Sequence, residues 1–267
     1  GAHQDLLPYL VRRLLENGAN TSFVHSFLDE DVPAERIATD PYTLLSASPA
    51  RHPRIPSPPG LYGASRLNSR GLDFSQRQVR ERVVAEVAKL DADKSITVAA
   101  MSGGEMYRGG SNLVKIPTPA DSARVVSQAF YTEPDIIDAV YTAALAYQPE
   151  WNALGGAKRA DILEAMANAL ESDMDRLIAI LAREGGKTLD DCVAEVREAV
   201  DFCRYYAVEA ETKFKDLQPL PGPAGETNGM EMMGRGVFVC ISPWNFPLAI
   251  FTGQIAGALA AGNTVVA

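Results

Sequence analysis

A short segment near the end of the chain places an asparagine among prolines and aromatic rings. The segment reads Ser242-Pro-Trp-Asn-Phe-Pro247. The side-chain amide of Asn245 is a neutral donor, so it can stabilise the negative oxygen that forms when a carbonyl carbon is attacked, whatever the pH. Asparagine is also a preferred helix N-cap residue, and the sequence alone leaves open that Asn245 only caps the helix that follows.

The elements around this segment predict a strand, a helix and a second strand. Residues 237–241 are apolar and mostly β-branched, and the prolines after them end the strand. Residues 248–261 predict a buried helix that Gly262 ends, and residues 264–266 predict another buried strand. Since ligands bind beyond the carboxyl ends of parallel strands, the asparagine segment lies where a site is expected. The prolines leave roughly 14 uninterrupted apolar residues, which favours a core helix over a membrane span.

Helical spacing of apolar residues predicts two or three amphipathic helices between residues 151 and 207. One apolar face comprises Ile162, Ala165, Met166, Ala169 and Leu170, and a second comprises Ile178, Leu181 and Ala182. Glu198 follows in the same region and could project toward the asparagine segment. The alternative is an exposed carboxylate that pairs with Arg197 or Arg204.

A second group of polar side chains lies at the other end of the chain, on a helix that Asp5 can cap and Asn17-Gly18 can end. On that helix, four residues recur three and four positions apart and therefore share one flank: Tyr9, Arg12, Arg13 and Glu16. Two guanidinium groups beside a phenol ring can bind a carboxylate through paired hydrogen bonds. The alternative is an exposed Arg12–Glu16 pair, worth only a few tenths of a kcal/mol.

Less regular sequence connects these two regions. Residues 40–63 are rich in proline and predict no regular structure, residues 78–90 predict a helix, and residues 219–225 predict a loop. Residues 96–100 and 113–116 predict two strands joined across glycine-rich turns. Seven arginines predict a solvated basic face in this middle part: Arg51, Arg54, Arg66, Arg70, Arg77, Arg80 and Arg82.

Composition excludes several classes of function. A formal net charge of -9 argues against nucleic-acid binding through this region, because phosphate contacts need clustered lysine and arginine. The three cysteines have neither disulfide nor metal-ligand spacing. This favours a protein that works in the reducing cytoplasm. Cys240 lies inside an apolar strand, so we assign it to packing. The three histidines are scattered, so no metal site is predicted.

The segment Ser242–Pro247, followed by Gly262-Asn-Thr-Val-Val266, resembles the NAD-dependent aldehyde dehydrogenase superfamily. The resemblance implies a Rossmann-like α/β domain in which Asn245 is catalytic, as the oxyanion donor, and Phe246 contacts the substrate. It also implies that the nicotinamide half of NAD lies along Ile241, Ser242, Pro243, Trp244 and Asn245. Glu198 precedes an Asp201-Phe202 pair as in members that act on glutamate semialdehyde, which places it at the aldehyde site.

Residues 9–23 resemble the last barrel helix of flavin-dependent proline dehydrogenases. In that family the fold is a (β/α)8 barrel. The resemblance implies that Tyr9, Arg12 and Arg13 bind the carboxylate of proline. It also implies that Arg13, Glu16 and Phe23 lie against FAD.

A chain that carries both resemblances is similar to bacterial bifunctional enzymes. These enzymes oxidise proline to pyrroline-5-carboxylate and then glutamate semialdehyde to glutamate. The expected organisation is the C-terminal barrel helix in residues 1–30, an interdomain linker with a helix in residues 31–95, and the first part of the NAD-binding domain in residues 96–267. An internal stretch of this kind would lack the cysteine nucleophile and the general-base glutamate.

The expected partners are the two substrates, the remainder of the same polypeptide and further copies in a homo-oligomer, in the cytoplasm. A peripheral contact with the inner membrane, through which electrons would reach quinone, stays open. Two other classes also stay open. One is a monofunctional aldehyde dehydrogenase with an unrelated N-terminal extension, and the other is a non-catalytic interdomain or oligomerisation scaffold.

Overall fold

The computed structural model describes residues 3–18, 23–47, 52–93, 96–108, 113–214 and 217–267. Their contacts divide the chain into two compact units, an N-terminal unit up to Pro56 and a C-terminal unit from Ser57 onward. The division falls inside residues 31–95, the part that the sequence predicts to be a linker.

The N-terminal unit is helical, with α1 (His3–Gly18), α2 (Phe23–Leu28), α3 (Ala34–Ile37) and α4 (Pro41–Ala47). Helix α1 ends at Gly18 as predicted, but it already includes Asp5, so the prediction that Asp5 is the N-cap is wrong. Helix α4 corrects the prediction that residues 40–63 have no regular structure. The carboxylate of Asp40 accepts a hydrogen bond of 2.9 Å from Tyr42 N, and proline is well suited to the first position of a helix.

The C-terminal unit begins with a segment that is fastened to its helices by polar contacts. Ser69 donates from its backbone N and its Oγ to the carboxylate of Asp201, at 2.9 and 2.7 Å. Arg66 lies 3.7 Å from the ring centroid of Tyr62 and 3.6 Å from Asp201, and its side chain is only 15% exposed. The prediction of a solvated arginine face is therefore wrong at Arg66.

The other arginines of this predicted face differ in their contacts. Three of them form ion pairs: Arg70 with Glu171, Arg77 with Glu81 and Arg82 with Asp175. The exposed positions are consistent with the prediction, and they include Arg54, Arg77 and Arg80. Arg51 lies outside the described residues, so its exposure stays a prediction.

Five short strands follow: β1 (Thr97–Val98), β2 (Ala100–Ser102), β3 (Glu105–Tyr107), β4 (Leu113–Thr118) and β5 (Asp121–Phe130). Strands β2 and β3 form a hairpin across Gly103 and Gly104, whose φ angles of 59° and 83° suit glycine. The strands predicted around residues 96–100 and 113–116 exist, but β1 and β4 each pair with β5 rather than with one another. The sequence pattern missed β5 because polar residues interrupt its apolar positions.

The helices of this unit are α5 (Arg77–Ala92), α6 (Pro134–Ala153), α7 (Gly155–Ser172), α8 (Met174–Glu184) and α9 (Leu189–Lys213). Helix α9 begins after Thr188, whose Oγ1 accepts a hydrogen bond from Asp191 N at 3.2 Å. Helix α5 packs on α8 and α9, where Val83 and Ile178 are both fully buried. None of the helices in the described part of the chain is long and apolar enough to cross a membrane.

A second core lies between α7, α9 and the later helix α10 (Ala249–Ala260). The predicted apolar face of α7 is only half right, since Ile162 is 45% exposed while its neighbour Leu163 is fully buried. Ala165 and Ala169 are also exposed, whereas Met166 and Leu170 pack against the core. The predicted face of α8 is confirmed, because Ile178 and Leu181 are buried and Ala182 packs against them.

We expect Leu163→Ala to lower the free energy of unfolding by about 2–5 kcal/mol, because it removes buried methyl groups and leaves a cavity. The measurement is the urea midpoint of unfolding. Ile162→Ala is the matched control, and it should change the free energy by less than about 1 kcal/mol, because surface substitutions have small effects. Equal effects at the two positions would contradict the observed packing of α7.

The chain then forms β6 (Gln218–Leu220), β7 (Asn228–Met230), β8 (Val237–Val239), α10 and β9 (Thr264–Val266). Strands β6 and β7 pair antiparallel, with part of the predicted loop of residues 219–225 between them. Strands β8 and β9 pair parallel, with Val237 opposite Thr264 and Val239 opposite Val266. The predicted strand, helix and strand are confirmed, and together they position the asparagine segment.

Candidate functional site

The turn between β8 and α10 lies at the carboxyl edge of a parallel strand pair. Cys240 N donates a hydrogen bond of 2.9 Å to Val266 O, so the pairing extends one residue past β8. The regular strand ends at Val239, two residues earlier than predicted, and Ile241 is 75% exposed. The turn therefore occupies the position at which such sheets bind ligands.

The side chain of Asn245 is exposed in this turn. No hydrogen bond of its carboxamide is found among the residues that the structure describes. Helix α10 begins at Ala249, and its N-cap is Leu248, which provides no side-chain cap. The alternative that Asn245 caps this helix is therefore wrong, and its amide remains available to a ligand.

The N-terminus of α10 is capped by a side chain from another helix. The Oε1 atom of Glu195, on α9, accepts hydrogen bonds from Leu248 N at 2.8 Å and Ala249 N at 3.4 Å. Glu195 is 2% exposed, and its other carboxylate oxygen forms an ion pair with Lys187. A carboxylate at this position also interacts favourably with the helix dipole.

Lys187 connects this ion pair to the asparagine itself. Its Nζ donates a hydrogen bond of 2.9 Å to the backbone oxygen of Asn245, and it lies 4.5 Å from the ring centroid of Phe246. The lysine side chain is 14% exposed. The Lys187–Glu195 pair therefore holds the turn at two points. The lysine binds the oxygen of Asn245, and the glutamate binds the N–H of Leu248.

Lys187 and Glu195 are not among the predicted site residues, although the sequence carries a signal for them. Glu195 interrupts an otherwise apolar stripe on α9, between Cys192 and Val196, which are both fully buried. A buried carboxylate is costly without a partner. A glutamate within an apolar stripe therefore indicates a specific cation or a set of N–H groups nearby.

The remaining residues of the turn give it an open apolar surface. Trp244 is 91% exposed and Phe246 is 41% exposed, while Pro243 is partly buried. Ser242 Oγ donates a hydrogen bond of 3.1 Å to Pro247 O, which closes the turn on itself. A cavity of about 310 Å³ adjoins the turn, between Trp244 and the end of α8.

This surface suits one part of a dinucleotide better than another. Ile241 and Trp244 offer exposed apolar area against which a flat ring can lie. Glu195 accepts hydrogen bonds from the N–H groups of Leu248 and Ala249, so a phosphate at this helix N-terminus would meet a buried carboxylate. The turn therefore offers exposed apolar area to a flat ring, and the expected placement of the nicotinamide half of NAD along it stays a prediction.

Glu198 lies on α9 one helical turn after Glu195, with its side chain exposed. Phe202, one further turn along the same flank, packs against Gly253 of α10, where an added Cβ would lie 3.0 Å from the ring. The alternative ion pairs of Glu198 are not formed. Arg197 donates to Ser69 Oγ at 3.3 Å, and Arg204 pairs with Glu171.

In the N-terminal unit, helix α1 brings together two of the four residues of the predicted flank, Tyr9 and Arg13. The guanidinium carbon of Arg13 lies 5.5 Å from the ring centroid of Tyr9, which is 52% exposed. Arg12 is exposed on the same helix, and Phe23 is 67% exposed at the start of α2. The side chain of Glu16 lies outside what the structure describes, so its predicted contact with FAD stays a prediction.

Comparisons with known proteins identify the family of this chain. The aldehyde dehydrogenase family model matches residues 107–267, which is more than half of the chain. The chain belongs to the aldehyde dehydrogenase family. The proline dehydrogenase model matches residues 1–26. The predicted fold class, the end of a proline dehydrogenase followed by the start of an aldehyde dehydrogenase domain, is confirmed.

Individual relatives combine the same two parts. The chain is 41% identical to the bifunctional protein PutA of Escherichia coli over an alignment of 275 positions. This alignment covers 100% of this chain and 20% of the relative. A solved Bradyrhizobium japonicum proline utilization A is 42% identical with a TM-score of 0.76, over 99% of this chain and 24% of that one. A Thermus 1-pyrroline-5-carboxylate dehydrogenase with bound NAD is 28% identical with a TM-score of 0.70, over 74% and 38% respectively. The chain thus spans about a fifth of the length of its curated bifunctional relatives.

The cysteines of this aldehyde dehydrogenase family chain are not suited to act as nucleophiles. Cys192, Cys203 and Cys240 are all buried. Burial raises the pKa of Cys192 to about 11 and that of Cys203 to about 12, and it also raises the pKa of Cys240. The assignment of Cys240 to packing agrees with this burial. In the described part of the chain, no group of side chains could hold a metal ion.

We therefore expect the three thiols to resist alkylation by iodoacetamide in the folded protein. The raised pKa values keep the thiols of Cys192 and Cys203 protonated, and burial limits access to Cys240, so the reaction should stay slow as the pH rises from 7 to 9 and accelerate only on unfolding. Mass spectrometry of the intact protein measures the uptake of label, and protein in urea is the positive control. Rapid labelling of native Cys240 at pH 7 would contradict its assignment to packing.

Proposed function

We propose that the polypeptide containing this chain is a bifunctional proline-catabolic enzyme. It would oxidise proline to pyrroline-5-carboxylate with FAD and then glutamate semialdehyde to glutamate with NAD. The observation that carries the proposal is the exposed carboxamide of Asn245, which forms no hydrogen bond to a described residue, at the carboxyl edge of β8 and β9. The alignment of the whole chain with bifunctional PutA supports the proline half.

At the dehydrogenase site, Asn245 donates a hydrogen bond to the aldehyde oxygen as it gains negative charge. The backbone of Asn245 is held by the hydrogen bond from Lys187 to its oxygen, which limits the reorganisation that the donor needs at the moment of reaction. NAD, when bound, supplies the hydride acceptor. Ile241, Ser242, Pro243 and Trp244 form the surface against which the nicotinamide half lies, and Phe246 borders the substrate.

Glu198 gives this site a group that can recognise the amino acid part of the substrate. Glutamate semialdehyde carries an α-ammonium group, and an exposed carboxylate can attract it. The contacts of Arg197 and Arg204 with other partners support this role, because they leave Glu198 without an ion pair to either arginine.

Glu198→Gln is expected to raise the Michaelis constant for glutamate semialdehyde about tenfold, because a charge-assisted hydrogen bond to the substrate is roughly twice as strong as a neutral one. Steady-state NADH formation measures the change. The matched control is Glu211→Gln, which removes another exposed carboxylate of α9 and should leave the Michaelis constant unaltered. An unchanged Michaelis constant and turnover in Glu198→Gln would return Glu198 to the solvated face of the helix.

At the proline site, Arg12 and Arg13 would bind the carboxylate of proline, and the ring of Tyr9 would border it. The exposure of this flank and the 5.5 Å approach of Arg13 to the Tyr9 ring support the arrangement. FAD, when bound, supplies the hydride acceptor of the first oxidation. Arg13, Glu16 and Phe23 would lie against it.

The complete polypeptide tests the proposal directly. We expect purified protein to show flavin absorbance, to reduce a dye with proline, and to form NADH with glutamate semialdehyde. NADH formation without flavin or proline oxidation would favour a monofunctional aldehyde dehydrogenase with an unrelated extension. A folded protein that shows neither activity would favour a non-catalytic interdomain or oligomerisation scaffold.

The remaining proposals concern where and with what the protein works. We propose a cytoplasmic homo-oligomer that binds no nucleic acid through this region, in keeping with its net charge of -9. A peripheral contact with the inner membrane would serve to pass electrons from the flavin to quinone. Sedimentation of the complete polypeptide, with and without lipid vesicles and proline, tests the oligomer and the membrane contact.

A further inference from the structure

The turn that presents Asn245 has few means of its own to hold that residue in place. Among the described residues, its internal side-chain hydrogen bonds come from Ser242 Oγ to Pro243 O and Pro247 O. Leu248, the N-cap residue of α10, provides no side-chain cap of its own. The orientation of the Asn245 backbone therefore depends on groups outside the turn.

Those groups are the two members of the Lys187–Glu195 pair. The lysine follows α8 and the glutamate lies on α9, eight positions later in the chain. Lys187 binds the oxygen of Asn245 at 2.9 Å, and Glu195 binds Leu248 N at 2.8 Å. The two ends of the same short peptide are thus bonded to opposite ends of one buried ion pair.

We propose that Lys187 and Glu195 are positioning residues for Asn245, which set the direction of its carboxamide for the dehydrogenase reaction. This inference rests on the proposed role of Asn245 as the oxyanion donor. Neither residue needs to touch the aldehyde, because both act on the backbone from which the amide projects. A donor must be held within about 0.5 Å of its productive position.

Two features of the structure make this pair more than an ordinary salt bridge. It is shielded, with Glu195 2% exposed and the lysine side chain 14% exposed, so solvent competes little for its hydrogen bonds. The position of Lys187 is also restricted. Gly186 before it has a φ of 66°, and a Cβ there would lie 3.2 Å from Pro119. The backbone that leads into Lys187 is therefore packed closely against Pro119, and the ammonium group is held by its hydrogen bonds to Glu195 and to the Asn245 oxygen.

The test is a double-mutant cycle in the complete polypeptide with Lys187→Met, Asn245→Ala and both together. We expect Lys187→Met to lower the turnover number of semialdehyde oxidation about 100-fold, the size of effect that a misplacement of about 1 Å produces. The Michaelis constants for NAD and the semialdehyde should change little. The double variant should be no slower than Asn245→Ala, because the lysine acts only through the asparagine.

The outcomes separate the inference from the function on which it rests. If Asn245→Ala alone has no effect on turnover, the proposed role of Asn245 as the oxyanion donor fails. If Asn245→Ala slows the reaction but Lys187→Met does not, or if the two effects multiply, the positioning role is overturned. Lys213→Met is the matched control, because it removes the lysine of an exposed Lys–Glu pair on α9 and should leave turnover unchanged.

A second variant covers the case in which Lys187→Met does not fold, as judged by loss of NAD binding together with a lowered unfolding midpoint. Lys187→Arg keeps the positive charge and the pairing with Glu195, but its planar guanidinium reaches the Asn245 oxygen in a different geometry. We expect it to fold and to lower turnover about tenfold, a partial form of the 1 Å misplacement effect. Full turnover in Lys187→Arg would then overturn the inference.

Discussion

Replacing Asn245 with alanine is expected to lower the turnover number of NAD-dependent glutamate semialdehyde oxidation by about 100- to 1000-fold, the cost of one oxyanion donor. The structure leaves the carboxamide exposed and gives the capping of α10 to Glu195, so the substitution removes no bond that the fold uses. The loss should therefore appear in turnover and not in stability. Steady-state NADH formation and the thermal midpoint of the same preparation measure the two quantities.

A matched control for this substitution is Gln78→Ala, which removes an exposed carboxamide from α5 in the same unit. Proline oxidation by the complete polypeptide provides an internal control, because the proposed proline site lies in the N-terminal unit. Wild-type turnover in the Asn245→Ala protein would exclude the oxyanion role. A fall in both activities together would instead indicate a general loss of folded protein.

Arg12→Met and Arg13→Met are each expected to raise the Michaelis constant for proline about 10- to 100-fold, because a hydrogen bond to a charged group is worth about 1.5–3 kcal/mol. Both guanidinium groups lie on the exposed flank of α1 with Tyr9. Replacing either arginine with lysine should raise the Michaelis constant for proline by an intermediate factor. Lysine keeps the positive charge but lacks the planar guanidinium that forms paired hydrogen bonds. Proline-dependent reduction of a dye measures the effect.

Arg36→Met provides the control for charge, because Arg36 is an exposed arginine of α3 in the same unit. Semialdehyde oxidation should be unaffected in all these variants. If neither Arg12→Met nor Arg13→Met weakens proline binding, the carboxylate clamp is wrong, and the helix is an exposed surface with an ordinary Arg12–Glu16 pair. Flavin content then shows whether the FAD site is still present.

The sequence by itself determined the local structure around the asparagine. Prolines keep the turn after β8 from continuing as strand or helix, a run of alanine and other apolar residues forms α10, and Gly262 follows its end at a φ of 85°. Each of these effects depends on residues within a few positions of one another, so they can be predicted without knowing the fold. The flank of Tyr9 and Arg13 follows from helical spacing in the same way.

Tertiary contacts decided what local patterns could not. Ile162 and Leu163 are adjacent and similarly apolar, and only the packing of α7 against α9 determines which of them is buried. Strand β5 has a weak strand pattern, but it forms because β1 and β4 pair with its two edges.

The prediction that residues 40–63 have no regular structure failed at α4 for a local reason, since Asp40 caps this helix.

The part of the site that only the fold could reveal is the pair of Lys187 and Glu195. They lie 58 and 53 positions before the atoms that they bind in Asn245 and Leu248. Short-range spacing carries no information about such a separation. The choice of partner follows from burial, because a carboxylate and an ammonium that are both removed from water must satisfy each other and the nearest unpaired backbone groups.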